Sequence, residues 1–186
     1  MRLRDLPNII SFLRLLAVMP VVLLLLEGNY GWALLIFVVA GLSDGLDGLL
    51  AKHFHWQSEL GGILDPLADK TLLVACFLVL GAVKLIPIWL VVAAISRDLI
   101  IVGGATLYHF RVEELKAAPT WASKLNTLLQ IGLAVAVIAN AGPLPMPDVL
   151  INFLTWACLV TILVSGVHYV WAWTLKARAK GWHEDV

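Results

Sequence analysis

Residues 31–83 read GWALLIFVVAGLSDGLDGLLAKHFHWQSELGGILDPLADKTLLVACFLVLGAV, two long apolar runs joined by a short polar stretch, His53 to Leu60. Each run approaches the roughly 20 apolar residues that an α-helix needs to cross a hydrocarbon core. Each also holds what such a core rejects: Asp44 and Asp47 in the first, Asp65 and Asp69 in the second. An acid near a bilayer centre costs about 2.5–3.5 kcal/mol on insertion scales, so four of them demand compensation. Asp44 and Asp47 stand three positions apart, Asp65 and Asp69 four apart, so each pair projects from one face of its own helix. The short connection makes the helices antiparallel neighbours, and the four carboxylates are expected to face one another across the hairpin.

Four clustered negative charges repel unless cations join them. Oxygen-only ligands favour the hard divalent cations magnesium, manganese and calcium, and carboxylates together with substrate phosphates are the usual way to hold magnesium. No histidine or cysteine joins the set, which argues against zinc. Gly48, Ala51 and Gly61 fall on the acid-bearing faces. Small residues there let a phosphate-bearing ligand approach the backbone; they equally suit close helix packing in a membrane. Pro66, directly after Asp65, removes the helical bond to the Gly62 carbonyl and leaves that oxygen free beside the acids.

The rest of the chain extends the same pattern. Of 186 residues 61% are hydrophobic and 14% charged, against about a quarter charged in a soluble domain. Six segments are expected to span the bilayer, about 8–27, 31–52, 61–83, 86–109, 121–140 and 148–175, as a single all-α domain over 1–186. Basic residues collect on one side: Arg2, Arg4, Lys52, Arg111, Lys116, Lys124, Lys176, Arg178 and Lys180, against Lys84 on the other. Basic loops are retained in the cytoplasm, so both termini are expected there. Tryptophans such as Trp32, Trp89 and Trp121 fall near span ends, suited to the headgroup zone or to simple lipid-facing bulk. Residues 1–26 resemble a secretory signal in their basic start, but Glu27 to Tyr30 offer no small-residue cleavage pattern, so the segment reads as a first spanning helix. Cys76 and Cys158 lie in apolar runs, which supports neither a disulfide framework nor a metal site. A formal charge of zero gives no reason to expect nucleic acid.

From Asp44 to Asp69 the acids and small residues form DxxDGxxAK, eight residues, then GxxxDxxxD. This closely resembles the signature of the CDP-alcohol phosphatidyltransferases, and the likeness extends over nearly the whole chain, from PNIISFLR (Pro7 to Arg14) onward. The resemblance implies a six-helix fold, usually homodimeric, and two magnesium or manganese ions held by Asp44, Asp47, Asp65 and Asp69. It also implies that Asp69 is the general base, and that Gly48, Ala51, Lys52 and Gly61 bind the cytidine-diphosphate lipid. Lys52 stands where the family usually has arginine; it keeps the charge but loses the bidentate fork.

Two further patches, Ser96–Arg97–Asp98 and PTWASKLNT from Pro119 to Thr127, are similar to cardiolipin synthases of the eukaryotic and actinobacterial type. That likeness implies CDP-diacylglycerol as donor and phosphatidylglycerol as acceptor, with Arg97 and Lys124 on the acceptor phosphate. The other reading of Arg97 is as a partner for Asp98 or another acid. Phosphatidylglycerophosphate synthases, which use glycerol-3-phosphate, are the alternative; they typically carry a second lysine where Asn126 stands. A cation transporter is a distant alternative, since the acids cluster at one end and form no ladder across the membrane. No arginine-rich transit segment precedes the first helix, so the expected location is a bacterial inner membrane with the site facing the cytoplasm.

Overall fold

The computed structural model describes the backbone of residues 6–54, 59–111 and 121–179, and the side chains of residues 10–43, 70–104, 121–169 and 171. Six helices follow one another: α1 (Leu6–Leu26), α2 (Tyr30–Phe54), α3 (Glu59–Ala82), α4 (Ile88–Arg111), α5 (Trp121–Ala141) and α6 (Asp148–Ala179). They match the six expected segments one for one, with ends agreeing to within four residues, and no strand occurs among the described residues. Within α5 and α6, the stretches Trp121–Ala141 and Asp148–Tyr169 are long and apolar enough to cross a bilayer. Ile10–Leu26, Tyr30–Ser43 and Lys70–Ala82 are shorter apolar stretches.

Two turns close with the same device. At the end of α1 the Asn29 amide donates to the Leu24 carbonyl at 2.8 Å and the Gly28 amide to Leu25 at 3.3 Å. This double bond pattern needs a left-handed residue at Gly28, whose φ is 77°. At the end of α3 the Leu85 amide donates to Leu80 and the Lys84 amide to Gly81. There the left-handed position falls to Lys84, with φ 62°, a conformation that costs a side chain about 1–2 kcal/mol.

The chain divides into two compact units. Unit 1 comprises residues 1–87 and 134–151, and unit 2 residues 88–133 and 152–186. In unit 1, α1 packs along both α2 and α3. Leu25, Leu80 and Ile138 are wholly buried. Gly142 lies so close to α2 that a Cβ there would stand 2.7 Å from the Tyr30 Cβ. In unit 2, Leu90, Leu133 and Cys158 form the buried apolar set, and Trp89 of α4 meets Trp156 of α6 with ring centroids 5.8 Å apart.

The distribution of polarity is inverted relative to a water-soluble protein. Arg14, Arg97, Asn126, Gln130 and Ser165 are buried, whereas Met19, Leu16, Val92, Leu128 and Val160 are more than half exposed. Apolar surface on that scale requires an apolar solvent, and polar side chains turned inward join helices to one another. This is the organisation of a membrane protein.

Candidate active site

Backbone geometry carries the acidic hairpin. Asp44 and Asp47 lie within α2, Asp65 and Asp69 within α3, which runs unbroken through Pro66. At the rise of an α-helix, Asp44 and Asp69 each stand roughly 15 Å in from the helix end at the α2–α3 connection, and Asp47 and Asp65 roughly 10 Å in. The acids thus occupy two matched levels, one from each helix. Their side chains, and the surroundings of Gly48, Ala51, Lys52 and Gly61, lie outside the described residues. The donor set, four carboxylates and no nitrogen or sulfur ligand, fits a hard divalent cation.

Unit 1 contains a cation that the sequence reading passed over. Arg14, in the middle of α1, is only 2% exposed, and Ser11, one turn earlier, is equally buried. The signal for Arg14 is the one that singled out Arg97: a guanidinium inside an apolar run.

In unit 2, Arg97 is 4% exposed and joins three helices. Its Nη1 donates to the Asp98 carboxylate at 2.6 Å, forming an ion pair. Its Nη2 donates to the Ser123 hydroxyl of α5 at 2.8 Å and to the Ser165 hydroxyl of α6 at 2.5 Å. Two hydrogens on Nη2 satisfy both acceptors, while Nε has no partner. Arg97 thus pairs with Asp98, one of the two partners the sequence suggests for it. Lys124, by contrast, is exposed, and its ammonium lies 5.5 Å from the Trp121 ring centroid, a cation–π contact. Ser165 had no sequence signal, because its role depends on a partner 68 positions away.

One turn along α5 from Ser123, Asn126 has no exposed surface. The Thr161 hydroxyl of α6 lies 3.1 Å from its Oδ1, and its Nδ2 has no partner. Thr161 also has the Ala157 and Cys158 carbonyls within 3.1 Å and 3.0 Å. A hydroxyl has one hydrogen to donate, so these three acceptors compete for it.

Comparison with known proteins agrees with the motif. The family model for CDP-alcohol phosphatidyltransferase matches residues 4–174. The chain is 34% identical over 180 residues to a Mycobacterium tuberculosis protein named "Probable phosphatidylglycerophosphate synthase", covering 91% of this chain and 81% of the relative. It is 32% identical over 181 residues to "Cardiolipin synthase (CMP-forming)" of Rattus norvegicus, covering 88% of this chain and 59% of the relative. A protein of the same name from Streptomyces coelicolor is 35% identical over 111 residues, covering 55% of this chain and 52% of the relative.

Proposed function

The chain belongs to the CDP-alcohol phosphatidyltransferase family, and from that premise we propose that it transfers a phosphatidyl group from CDP-diacylglycerol to phosphatidylglycerol, giving cardiolipin and CMP. As a member of the family it is an enzyme of phospholipid synthesis that takes a CDP-alcohol and an alcohol acceptor. Relatives carry the names of both synthases, so the acceptor rests on the chain's own residues.

The observation that carries the choice is the charge balance of unit 2. Its buried cation, Arg97, already faces Asp98, and the buried Asn126, one turn along α5 from the Ser123 that Arg97 contacts, is neutral. One ion pair and a neutral amide suit the single negative charge of a phosphodiester. The near-dianionic phosphate of glycerol-3-phosphate calls for more cations. In this reading the unused Nε of Arg97 and the Lys124 ammonium meet the acceptor phosphate.

Asp44, Asp47, Asp65 and Asp69 hold the metals, magnesium or manganese and two in number, with Gly48, Ala51, Lys52 and Gly61 around the cytidine diphosphate. Bound divalent cations neutralise the pyrophosphate and stabilise charge developing on the departing CMP. Asp69 takes the proton of the acceptor hydroxyl as that oxygen bonds to the lipid-bearing phosphorus and the bond to CMP breaks. One displacement inverts the phosphorus; retention with a chiral phosphate substrate would rule out this path. The helices span the membrane six times with both termini cytoplasmic, the site opens to the cytoplasm of a bacterial inner membrane, and the enzyme works as a homodimer. The basic-residue asymmetry supports this orientation.

The deciding experiment measures CMP release by the purified protein with CDP-diacylglycerol and magnesium or manganese, comparing phosphatidylglycerol with glycerol-3-phosphate. Dependence on phosphatidylglycerol with cardiolipin as product is expected. Preference for glycerol-3-phosphate would make the enzyme a phosphatidylglycerophosphate synthase instead.

A further inference from the structure

A cation inside an apolar bundle stays there only when something compensates it. Arg14 is far more deeply buried than its neighbours Leu13 and Leu16, on the helix that packs along both acid-bearing helices of unit 1. The acids of that unit narrow the choice of compensating charge. Glu27 is exposed and lies about 20 Å away along the helix axis. Asp148 is exposed as well and follows Gly142, whose close approach to Tyr30 puts it at the same remote end of the unit. Asp5 lies outside the described residues, and Glu59 opens α3 at the α2–α3 connection.

Among the acids carried on the described helices, those left are Asp44, Asp47, Asp65 and Asp69, two on each of the helices that α1 packs along. Counting helical rise from the α1–α2 turn, Arg14 stands roughly 18 Å along α1 and Asp44 roughly 21 Å along α2, a difference that an arginine side chain spans. Ser11 stands one turn deeper, toward the level of Asp47. The other described cations of unit 1, Lys70 and Lys84, are exposed.

We propose that Arg14 is a positioning residue, the fixed buried positive charge that holds the α2 and α3 carboxylates together and thereby sets how strongly unit 1 depends on divalent metal. The proposal rests on the reading that these carboxylates bind metal. Its electrostatic sign is definite. With Arg14 neutralised, four carboxylates repel more strongly in the metal-free protein, and the same extra negative charge attracts a divalent cation more strongly. The metal-free state should lose stability, the metal-loaded state should recover most of it, and less metal should be needed to fill the site.

The test is thermal unfolding of the purified full-length protein in detergent, in EDTA and across a magnesium titration, for wild type, Arg14→Gln and Arg14→Lys. The expected result for Arg14→Gln is a midpoint lowered by roughly 5–10 °C in EDTA and by less than half of that in saturating magnesium. Half-saturating magnesium for CMP release should fall roughly fivefold while turnover drops, because the carboxylates are less firmly placed. Arg14→Lys should restore most of the metal-free stability. An equal loss of stability with and without magnesium, or an unchanged half-saturation, overturns the proposal. If Arg14→Gln does not fold, Arg14→Gln combined with Asp44→Asn, which removes one charge of each sign, should regain folded protein; a double variant no better than the single one overturns it too. A wild-type protein showing neither a magnesium-induced shift nor CMP release defeats the metal reading itself, and the role of Arg14 with it.

Discussion

Arg14 of α1 and Arg97 of α4 are both buried, yet they answer burial with different resources. Arg97 meets an acid one residue away and hydroxyls from two other helices, so its charge is balanced inside unit 2 whether or not a ligand is present. Arg14 lies in the unit whose acids outnumber its buried cations, and in the proposed metal site the balance is completed by positive charge from outside. One arginine fastens helices together; the other, on the proposed reading, belongs to a cluster completed by substrate and metals. A unit that is finished without ligand and one that is not should fail differently when altered.

The largest effect belongs to the acids. Asp44→Asn or Asp69→Asn should reduce CMP release by at least about a thousandfold while leaving the protein folded in detergent, as size-exclusion chromatography would verify. Near-wild-type turnover in either variant would remove the hairpin from the chemistry. Next comes the finished unit. Arg97→Met strips Asp98 of its arginine, and breaking a buried pair costs about 3–5 kcal/mol. The unfolding midpoint should fall by about 10 °C, and by the same amount in EDTA and in magnesium. A metal-dependent loss there would erase the contrast with Arg14.

Asn126 tests whether unit 2 is finished in every respect. Its unpartnered Nδ2 is a buried donor of the kind that costs about 1–3 kcal/mol. Asn126→Leu should therefore leave stability unchanged or raise it slightly, while kcat/KM for phosphatidylglycerol falls roughly tenfold. Loss of stability with unchanged kinetics would make the amide a packing element. The smallest effect lies far from both arginines. Lys84→Gly relieves a left-handed side chain and should raise the midpoint by about 2–4 °C, equivalent to about 1 kcal/mol, with no change in turnover.

Much of this architecture is legible in the sequence because lipid-length apolar runs leave little freedom. The six segments follow from hydrophobicity and from breaks such as Glu27 to Tyr30, and the structure moves their ends by a few residues only. The acids announce themselves by being out of place. What stays hidden is which face of an apolar helix turns inward. Around Arg14 all faces of α1 are apolar apart from Ser11, so the sequence marks the cation as unusual without saying what surrounds it. Ser165 and Thr161 are unremarkable in sequence and take on their roles through partners 68 and 35 positions away. Likewise, the division into two units falls within α5 and within α6, where composition changes little.

The single hydroxyl hydrogen of Thr161 leads to one more consequence. When it turns to the Cys158 or Ala157 carbonyl, α6 keeps a hydrogen bond and the Asn126 carbonyl is released. The amide can then rotate and offer either its oxygen or its nitrogen without lowering the protein's own bond count. Such a group adapts to a lipid alcohol or to a phosphate oxygen by exchanging partners, with no backbone movement. Discrimination at this position would then be a matter of proton orientation, adjustable on the timescale of a side-chain rotation.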